Sequence, residues 1–242
     1  MLFRSHWRTV DFLSDLHLQS SEPDTLAAWH RYLQTTPADA LFILGDLFEV
    51  WVGDDVLDDP ASFESQACAL LQAASRQRAL FFLHGNRDFL IGPGFARRTG
   101  ATLLHDPTVL VWQDQRLLLS HGDALCVDDV DYQRFRVQAR SVEWQERFLA
   151  QPLAQRRAQA RGIRAESEAR KQSGAVYADV DGPAAIAWLQ AAQATTLVHG
   201  HTHRPAEHTL AHDLRRVVLS DWGAAAHPPR ADVLRLTPQG LE

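Results

Sequence analysis

The sequence predicts an α/β protein with a helical insertion, and three features predict it. Five short apolar runs end on residues that can bind metal or turn the chain. Val10–Leu13 runs into Asp15-Leu-His17, Leu41–Leu44 into Gly45-Asp46, and Leu80–Leu83 into Gly85-Asn86-Arg87-Asp88. Leu117–Leu119 likewise runs into His121-Gly-Asp123, and Thr196–Val198 into Gly200-His201-Thr-His203. Runs that are apolar on both faces are how buried strands read. Segments of helical spacing separate the first three runs, giving the order βαβαβα of a sheet with covering helices. From about Asp128 to Leu189 the strand signal fades, and residues 134–171 carry ten basic side chains against four glutamates. That stretch is +6 in a chain of formal charge −6, which leaves −12 for the rest. A basic helical cap, 128–190, thus interrupts an acidic body made of 1–127 and 191–242.

Taken in order, the first helix is expected to start at Ser21-Glu-Pro-Asp24, with the serine as cap, and to run to about Gln34 with Leu26, Trp29 and Leu33 on one side. Pro37-Ala-Asp39 leads into the strand that ends at Asp46. Asp54–Pro60 reads as an acidic, turn-rich loop, solvated or lining the rim of a site. Ala61–Arg78 reads as helix, the strand to His84 follows, and a short helix is expected near Phe95–Thr99. Val109–Trp112 and Arg116–Leu119 make a hairpin. Thr209-Leu210, Arg216–Leu219 and Ala231–Leu236 close the chain as antiparallel strands. In the cap, Trp144/Phe148 and Leu149/Leu153 are i,i+4 pairs on one helical side, with arginines between them. Such a stripe can pack the cap on the body or line a groove for acyl chains.

Composition excludes several classes. The chain has 242 residues, of which 45 % are hydrophobic, enough for one full core with an insertion. No apolar run approaches the ~20 residues that span a bilayer, and the N-terminus carries no secretion signal. The charge of −6 argues against a nucleic-acid binder. Cys68 and Cys126 are far apart and form no Cys-x-x-Cys, so both are expected to be buried free thiols. The expected setting is therefore cytoplasmic.

Each motif alone is weak, but the ordered set Asp15-x-His17, Gly45-Asp46, Gly85-Asn86, His121 and Gly200-His201-x-His203 supplies two carboxylates, one amide and four imidazoles. Each follows an apolar run, and glycines let the chain turn so that the side chain reaches over the sheet edge. That is three or four donors per metal for two ions if one carboxylate is shared. Oxygen and nitrogen donors without thiolate suit Mn²⁺, Fe²⁺ or Zn²⁺ in a reactive site.

The ordered set resembles the calcineurin-like metallophosphoesterases from residue 11 to about 223. The resemblance implies an αββα sandwich of two mixed β-sheets flanked by helices. It implies that Asp15, His17 and His203 hold one divalent ion, that Asn86, His121 and His201 hold the other, and that Asp46 bridges them. Asp46, Asn86, Arg87 and His121 then carry the catalysis. One position departs from the family pattern: Arg87 stands where a histidine follows Gly-Asn. Imidazole can protonate an alkoxide, whereas guanidinium keeps its proton and clamps phosphate instead. The departure suits a leaving group that is already good, such as a phosphate monoester released from a pyrophosphate.

The longer motifs Gly45-Asp-Leu-Phe-Glu-Val-Trp51, Gly85-Asn-Arg-Asp-Phe-Leu90 and His121-Gly-Asp-Ala-Leu-Cys126 resemble a branch of that family. Its members hydrolyse the pyrophosphate of UDP-2,3-diacylglucosamine with manganese, in lipid A synthesis. That resemblance implies Mn²⁺ as the pair of ions and a UDP-linked diacyl sugar lipid as substrate. It further implies substrate contacts from Asn86, Arg87, Asp129, His201 and, in the cap, Ser167. Lys171 and Gly174 stand where the branch has an asparagine and a lysine, so Lys171 is the cationic contact expected there. The basic, apolar cap is expected to seat a monomer peripherally on an anionic surface, the cytoplasmic face of the inner membrane. Two other readings stand beside this one: a metallophosphatase acting on soluble nucleotides or phosphoproteins, and a non-catalytic interaction protein that keeps the fold.

Overall fold

The computed structural model describes residues 2–3, 7–172 and 178–242, with side chains described over 7–165 and 178–242. Among these residues the strands form two six-stranded mixed sheets. One contains β2 (Val10–Leu13), β3 (Ala40–Leu44), β4 (Ala79–Leu83) and β5 (Thr102–Leu104), all parallel. Antiparallel β11 (Leu234–Thr237) and β12 (Gly240–Leu241) extend it on the β2 side. The other has the order β1-β6-β7-β8-β10-β9, from β1 (Leu2–Phe3), β6 (Thr108–Trp112), β7 (Gln115–Leu119), β8 (Thr196–His199), β10 (Leu214–Val218) and β9 (Ala206–Ala211). The hairpin β6–β7 is antiparallel as expected, and so is β9–β10. β10 nevertheless runs parallel to β8.

The apolar runs are buried on both faces, which is why they do not alternate. Phe12, Phe42 and Phe81 stand in register across β2, β3 and β4. They pack with Leu110, Trp112, Leu117, Leu119 and Val198 of the facing sheet. The Phe42 and Phe81 rings stack at 4.5 Å. The opposite face of the first sheet, with Leu13, Ile43 and Phe82, is covered by α1 (Pro23–Thr35), α2 (Phe63–Ser75) and α3 (Pro93–Thr99). The outer face of the second sheet, with Leu118 and Leu197, is covered by α7 (Gly182–Ala192) through Ala185 and Leu189. Helices, sheet, sheet and helix give the αββα sandwich. Removing apolar surface from water on three such interfaces is the main favourable term in folding.

Two local expectations change. α1 begins at Pro23 with Glu22 as its cap residue and no side-chain cap bond, so Ser21 is not the cap. Proline sets the φ of the first turn and has no N–H that needs a partner. The acidic stretch Asp54–Asp58 is a 3₁₀ turn rather than a loop. Asp54 accepts hydrogen bonds from Trp51 Nε1 and from the amides of Gly92 (3.0 Å), Gly94 (2.6 Å) and Phe95, so it caps α3 from a distance. Cys68 and Cys126 are buried free thiols, and burial pushes both up to about 12.

The segment 128–190 contains α4 (Val130–Ala139), α5 (Val142–Leu149) and α6 (Leu153–Gln172), besides most of α7. Asp129, Ser141 and Asp181 cap α4, α5 and α7. Phe148 is buried against the body and stacks on Trp144 at 4.8 Å, and Trp144 meets Phe89 at 6.0 Å. The expected stripe is therefore split. Phe148 is packing, while Leu149 stays exposed. Body acids take up much of the cap's positive charge. Arg136 and Arg140 pair with Asp123, Arg157 with Glu64, Arg156 with Asp55, and Arg164 with Glu49.

Candidate metal centre

The C-terminal ends of β2, β3 and β4 in one sheet face those of β7 and β8 in the other, and the loops that leave them are joined by backbone hydrogen bonds. Asp15 N donates to Gly45 O (3.1 Å), His17 N to Asp46 O (3.0 Å), and Gly200 N to His121 O (3.0 Å). Close approach requires glycine at two points. Gly45 has φ +89°, and a Cβ there would lie 2.6 Å from Gly85 Cα and from His121 Nδ1. At Gly200 a Cβ would lie 2.2 Å from both Ser14 Oγ and Asp15 Oδ2.

All seven expected metal ligands gather here. Asp15 Oδ1 lies 3.3 Å from His203 Nε2 and 3.9 Å from His17 Nε2, and the two imidazole nitrogens are 3.3 Å apart. Asp15 is fully buried; its Oδ2 accepts from Ser14 Oγ (2.6 Å) and His201 N (2.9 Å), while Oδ1 makes no hydrogen bond. Beside this group, Asn86 Oδ1 lies 2.9 Å from His121 Nε2 and 2.8 Å from His201 Nδ1. Asp46 Oδ2 is 3.7 Å from His121 Nε2. Donor atoms of Asp15, Asp46 and His121 lie within 4.8 Å of one another, so the two carboxylates stand between the groups.

Five of these residues, Asp15, His17, Asp46, His201 and His203, have positive φ, between 48° and 67°. Non-glycine residues enter that region at a cost of about 1–3 kcal/mol each, so such a concentration marks a functional constraint.

The donor set fits divalent cations. His121 Nδ1 is 2.9 Å from the Leu44 carbonyl, which can only accept, so Nδ1 keeps a proton and Nε2, 2.9 Å from the Asn86 oxygen, is the nitrogen left to take either a second proton or a metal ion. His17 Nδ1 is 3.0 Å from Glu49 Oε2 without hydrogen-bond geometry, and the opposite nitrogen, Nε2, faces Asp15 and His203. Imidazole nitrogens, an amide oxygen and carboxylates that converge in a buried cleft call for a cation among them, a proton or a metal ion. The electrostatics agree. Burial would lower the His121 imidazole, but Asp46, Asp15 and Asp123 outweigh it and lift it to about 9. Burial would raise the Asp15 carboxyl, but the close contact with His203 and the facing His121 and His17 hold it well below the usual range. A field that favours a proton at this point favours a metal cation as well.

Arg87 contributes to the same centre. Its amide donates to Asp46 Oδ1 (2.8 Å), and its guanidinium Nε lies 3.9 Å from Asp46 Oδ2 without a hydrogen bond. It does not pair with Asp88, whose oxygens accept the amides of Gly85 (2.9 Å), Leu47 (2.8 Å) and Asp46. Burial, with the negative charge of Asp46, pushes the Asp88 carboxyl up to about 7. Asp129 Oδ1 accepts from Tyr132 N at 3.1 Å as the cap of α4. Ser167 and Lys171 lie in α6, but their side chains are outside the described residues.

The residues that sequence reasoning missed support the ligands. Asp88 binds the loops after β3 and β4 together. Asp123, fully buried, accepts from Tyr132 Oη (2.5 Å), Arg136 Nε (2.8 Å) and Arg140 (3.2 Å). Tyr132 stacks on His201 at 5.9 Å, and Arg140 also donates to Gly85 O (3.0 Å), so α4 rests on two metal-bearing loops. Asp88 and Asp123 stood inside the motifs and could have been suspected there. Glu49 likewise stood inside the motif Gly45–Trp51, and nothing in the sequence marks Tyr132.

Comparison with known proteins agrees with this geometry. Residues 8–205 match the sequence pattern of the calcineurin-like phosphoesterases. UDP-2,3-diacylglucosamine hydrolase of Chromobacterium violaceum is 46 % identical over 242 residues, covering 96 % of each chain. The enzyme of that name from Aromatoleum aromaticum is 47 % identical, covering 87 % of this chain and 88 % of the relative. The Escherichia coli one is 44 % identical, covering 87 % and 90 %.

Proposed function

The chain belongs to the calcineurin-like phosphoesterases, and on that premise we propose that it hydrolyses the pyrophosphate bond of UDP-2,3-diacylglucosamine, giving UMP and 2,3-diacylglucosamine 1-phosphate in lipid A synthesis. The observation that carries the reading is the pair of nitrogen- and oxygen-donor clusters at the strand ends, with the Arg87 guanidinium beside Asp46. In this reading Asp15, His17 and His203 hold one ion, Asn86, His121 and His201 the other, and Asp46 both. Divalent ions bound there, manganese in our reading, polarise phosphoryl oxygens and favour deprotonation of an attacking water. Arg87 clamps the anionic diphosphate and stabilises charge on the phosphoryl oxygens without giving up a proton. No acid is needed to protonate the leaving phosphate monoester. Asn86, His201, Asp129, Ser167 and Lys171 are the further substrate contacts of this proposal.

The cap supplies what a lipid substrate needs. Among the described residues the exposed large hydrophobics, Val127, Val130, Val137, Val142, Leu149 and Ile163, all lie between 127 and 163. Arg134, Arg147 and Arg161 are exposed in the same region. Such a surface favours acyl chains and peripheral attachment to the cytoplasmic face of the inner membrane, with each arginine worth about 1 kcal/mol near anionic lipid. Among the described residues no helix is long and apolar enough to cross a membrane.

The test is product analysis. The chain is incubated with UDP-2,3-diacylglucosamine and Mn²⁺, and phosphorus NMR and mass spectrometry follow the products. UMP and the sugar 1-phosphate in equal amounts are expected. Release of UDP or of inorganic phosphate would overturn the reading.

A further inference from the structure

Glu49 sits five residues beyond β3, and its backbone N–H is bound to Leu18 O (3.2 Å), next to His17. Its side chain links two regions. Oε2 lies 3.0 Å from His17 Nδ1, while Oε1 takes the guanidinium of Arg164 on the cap helix α6. All three side chains are largely buried, at 16 %, 17 % and 23 % exposure, so this is not a solvated surface pair. The opposite ring nitrogen of His17 is the one that faces Asp15 Oδ1 and His203 Nε2.

From this arrangement we propose that Glu49 is a positioning residue for the metal centre and that Arg164 makes it dependent on the seating of the cap. The inference rests on the metal reading above and concerns residues outside the ligand set. A carboxylate held 3.0 Å from Nδ1 favours the proton on that nitrogen, restrains the ring and makes Nε2 a stronger donor to a metal ion. Arg164 neutralises that carboxylate and fixes its rotamer. α6 is itself pinned to the segment that follows Glu49. Arg156 donates to Val52 O and to both oxygens of Asp55. A cap lifted from the body would leave Glu49 without its cation and His17 with a looser orienter. Metal occupancy and cap closure are thereby coupled, and the coupling acts in both directions.

The experiment is titration of the full, metal-stripped chain with Mn²⁺ by calorimetry and with Co²⁺ by its ligand-field absorption. Wild type should take up two ions. Glu49→Ala should lose 10- to 100-fold in affinity at one of them, the usual range for such an outer partner, with an altered Co²⁺ spectrum. Glu49→Gln, nearly isosteric, should fall between and keeps the test valid if the alanine variant folds poorly. Arg164→Ala should lose affinity severalfold. Arg157→Ala, which removes a cap–body pair remote from His17, should bind as wild type. Unchanged affinity and spectrum in both Glu49 variants would overturn the inference while leaving the metal reading intact. So would an Arg157→Ala loss as large as that of Arg164→Ala. Wild-type protein that takes up no metal would overturn both.

Discussion

At the strand ends, Asp15 and Asp46 are no more than 2 % exposed and are reached by backbone amides from His201 and Arg87. Across from them, α4–α6 meet the body through guanidinium–carboxylate pairs and the packing of Trp144 and Phe148, and the same helices expose Val137 at 73 % and Val142 at 66 %. Amides and close-packed strands fix positions to fractions of an ångström, as in-line chemistry at phosphorus requires. Ion pairs and a half-buried helix can reseat as a flexible lipid enters. In the proposed reading the sheets carry the reaction type and the cap the substrate class, so substitutions in the two regions should have different signatures.

The largest effect is expected at the bridge. Asp46→Asn should reduce turnover on the order of 10³-fold or more, on lipid and on a small activated phosphodiester alike, since it weakens both ions. A variant that keeps both metals and a near-normal rate would break the division of labour at its centre. Gly45→Ala is next. A Cβ forced against Gly85 and His121 at a positive φ should cost about 2 kcal/mol or more of stability. Thermal unfolding checks this, and an unshifted midpoint would mean that the loop relaxes freely.

Arg87→Ala should lower kcat/KM for the pyrophosphate roughly 10²-fold with metal content nearly intact, because Asn86 and not Arg87 is the proposed ligand. Full activity on the UDP-linked lipid would end the clamp assignment. Val142→Asp or Leu149→Asp should change stability by less than about 0.5 kcal/mol, the two being exposed. Each should impair the diacyl substrate roughly tenfold while sparing the small phosphodiester, since lost apolar contact is worth about 0.8 kcal/mol per CH₂. Equal losses on both substrates would move the acyl chains elsewhere. Phe148, buried as packing, is the wrong residue for that comparison.

The smallest effect concerns acid. The hydrogen bond from Arg156 is the first cause that lowers the Asp55 carboxyl below 3.8. With a depressed folded value, its contribution is present above 3.8 and is lost as pH falls through the lower folded value. Hydrogen exchange in α6 should therefore accelerate below about pH 4, and Asp55→Asn should exchange faster already at neutral pH with less change on acidification. Identical pH profiles would show that Asp55 does not seat the cap.

The strand ends were legible before any coordinates. An apolar run that stops at Gly45-Asp46 or Gly200-His201 states both that a strand is buried and that its end delivers a polar group. Spacing likewise marked 128–190 as helical and basic, because periodicity and charge are local properties of a chain. Local signals also had limits. Ser21 has cap chemistry, yet Pro23 sets the start of α1. Trp144, Phe148 and Leu149 share a helical side, yet only contact with the body decides that Phe148 is buried and Leu149 is not.

By itself, then, the sequence determined which residue types end the strands and that a helical, basic pattern covers much of 128–190. The tertiary structure alone decided which atoms converge. Asp15 and His203 are 188 positions apart and meet only because two sheets pack face to face with these strand ends on the same side, and Arg156 finds Asp55 at a separation of 101. The left-handed backbone at five expected ligands, the amide clamp of Asp88 and the approach of Glu49 to His17 depend on neighbours supplied by distant segments. A side chain's partner is fixed by packing of the whole chain, which no local pattern encodes.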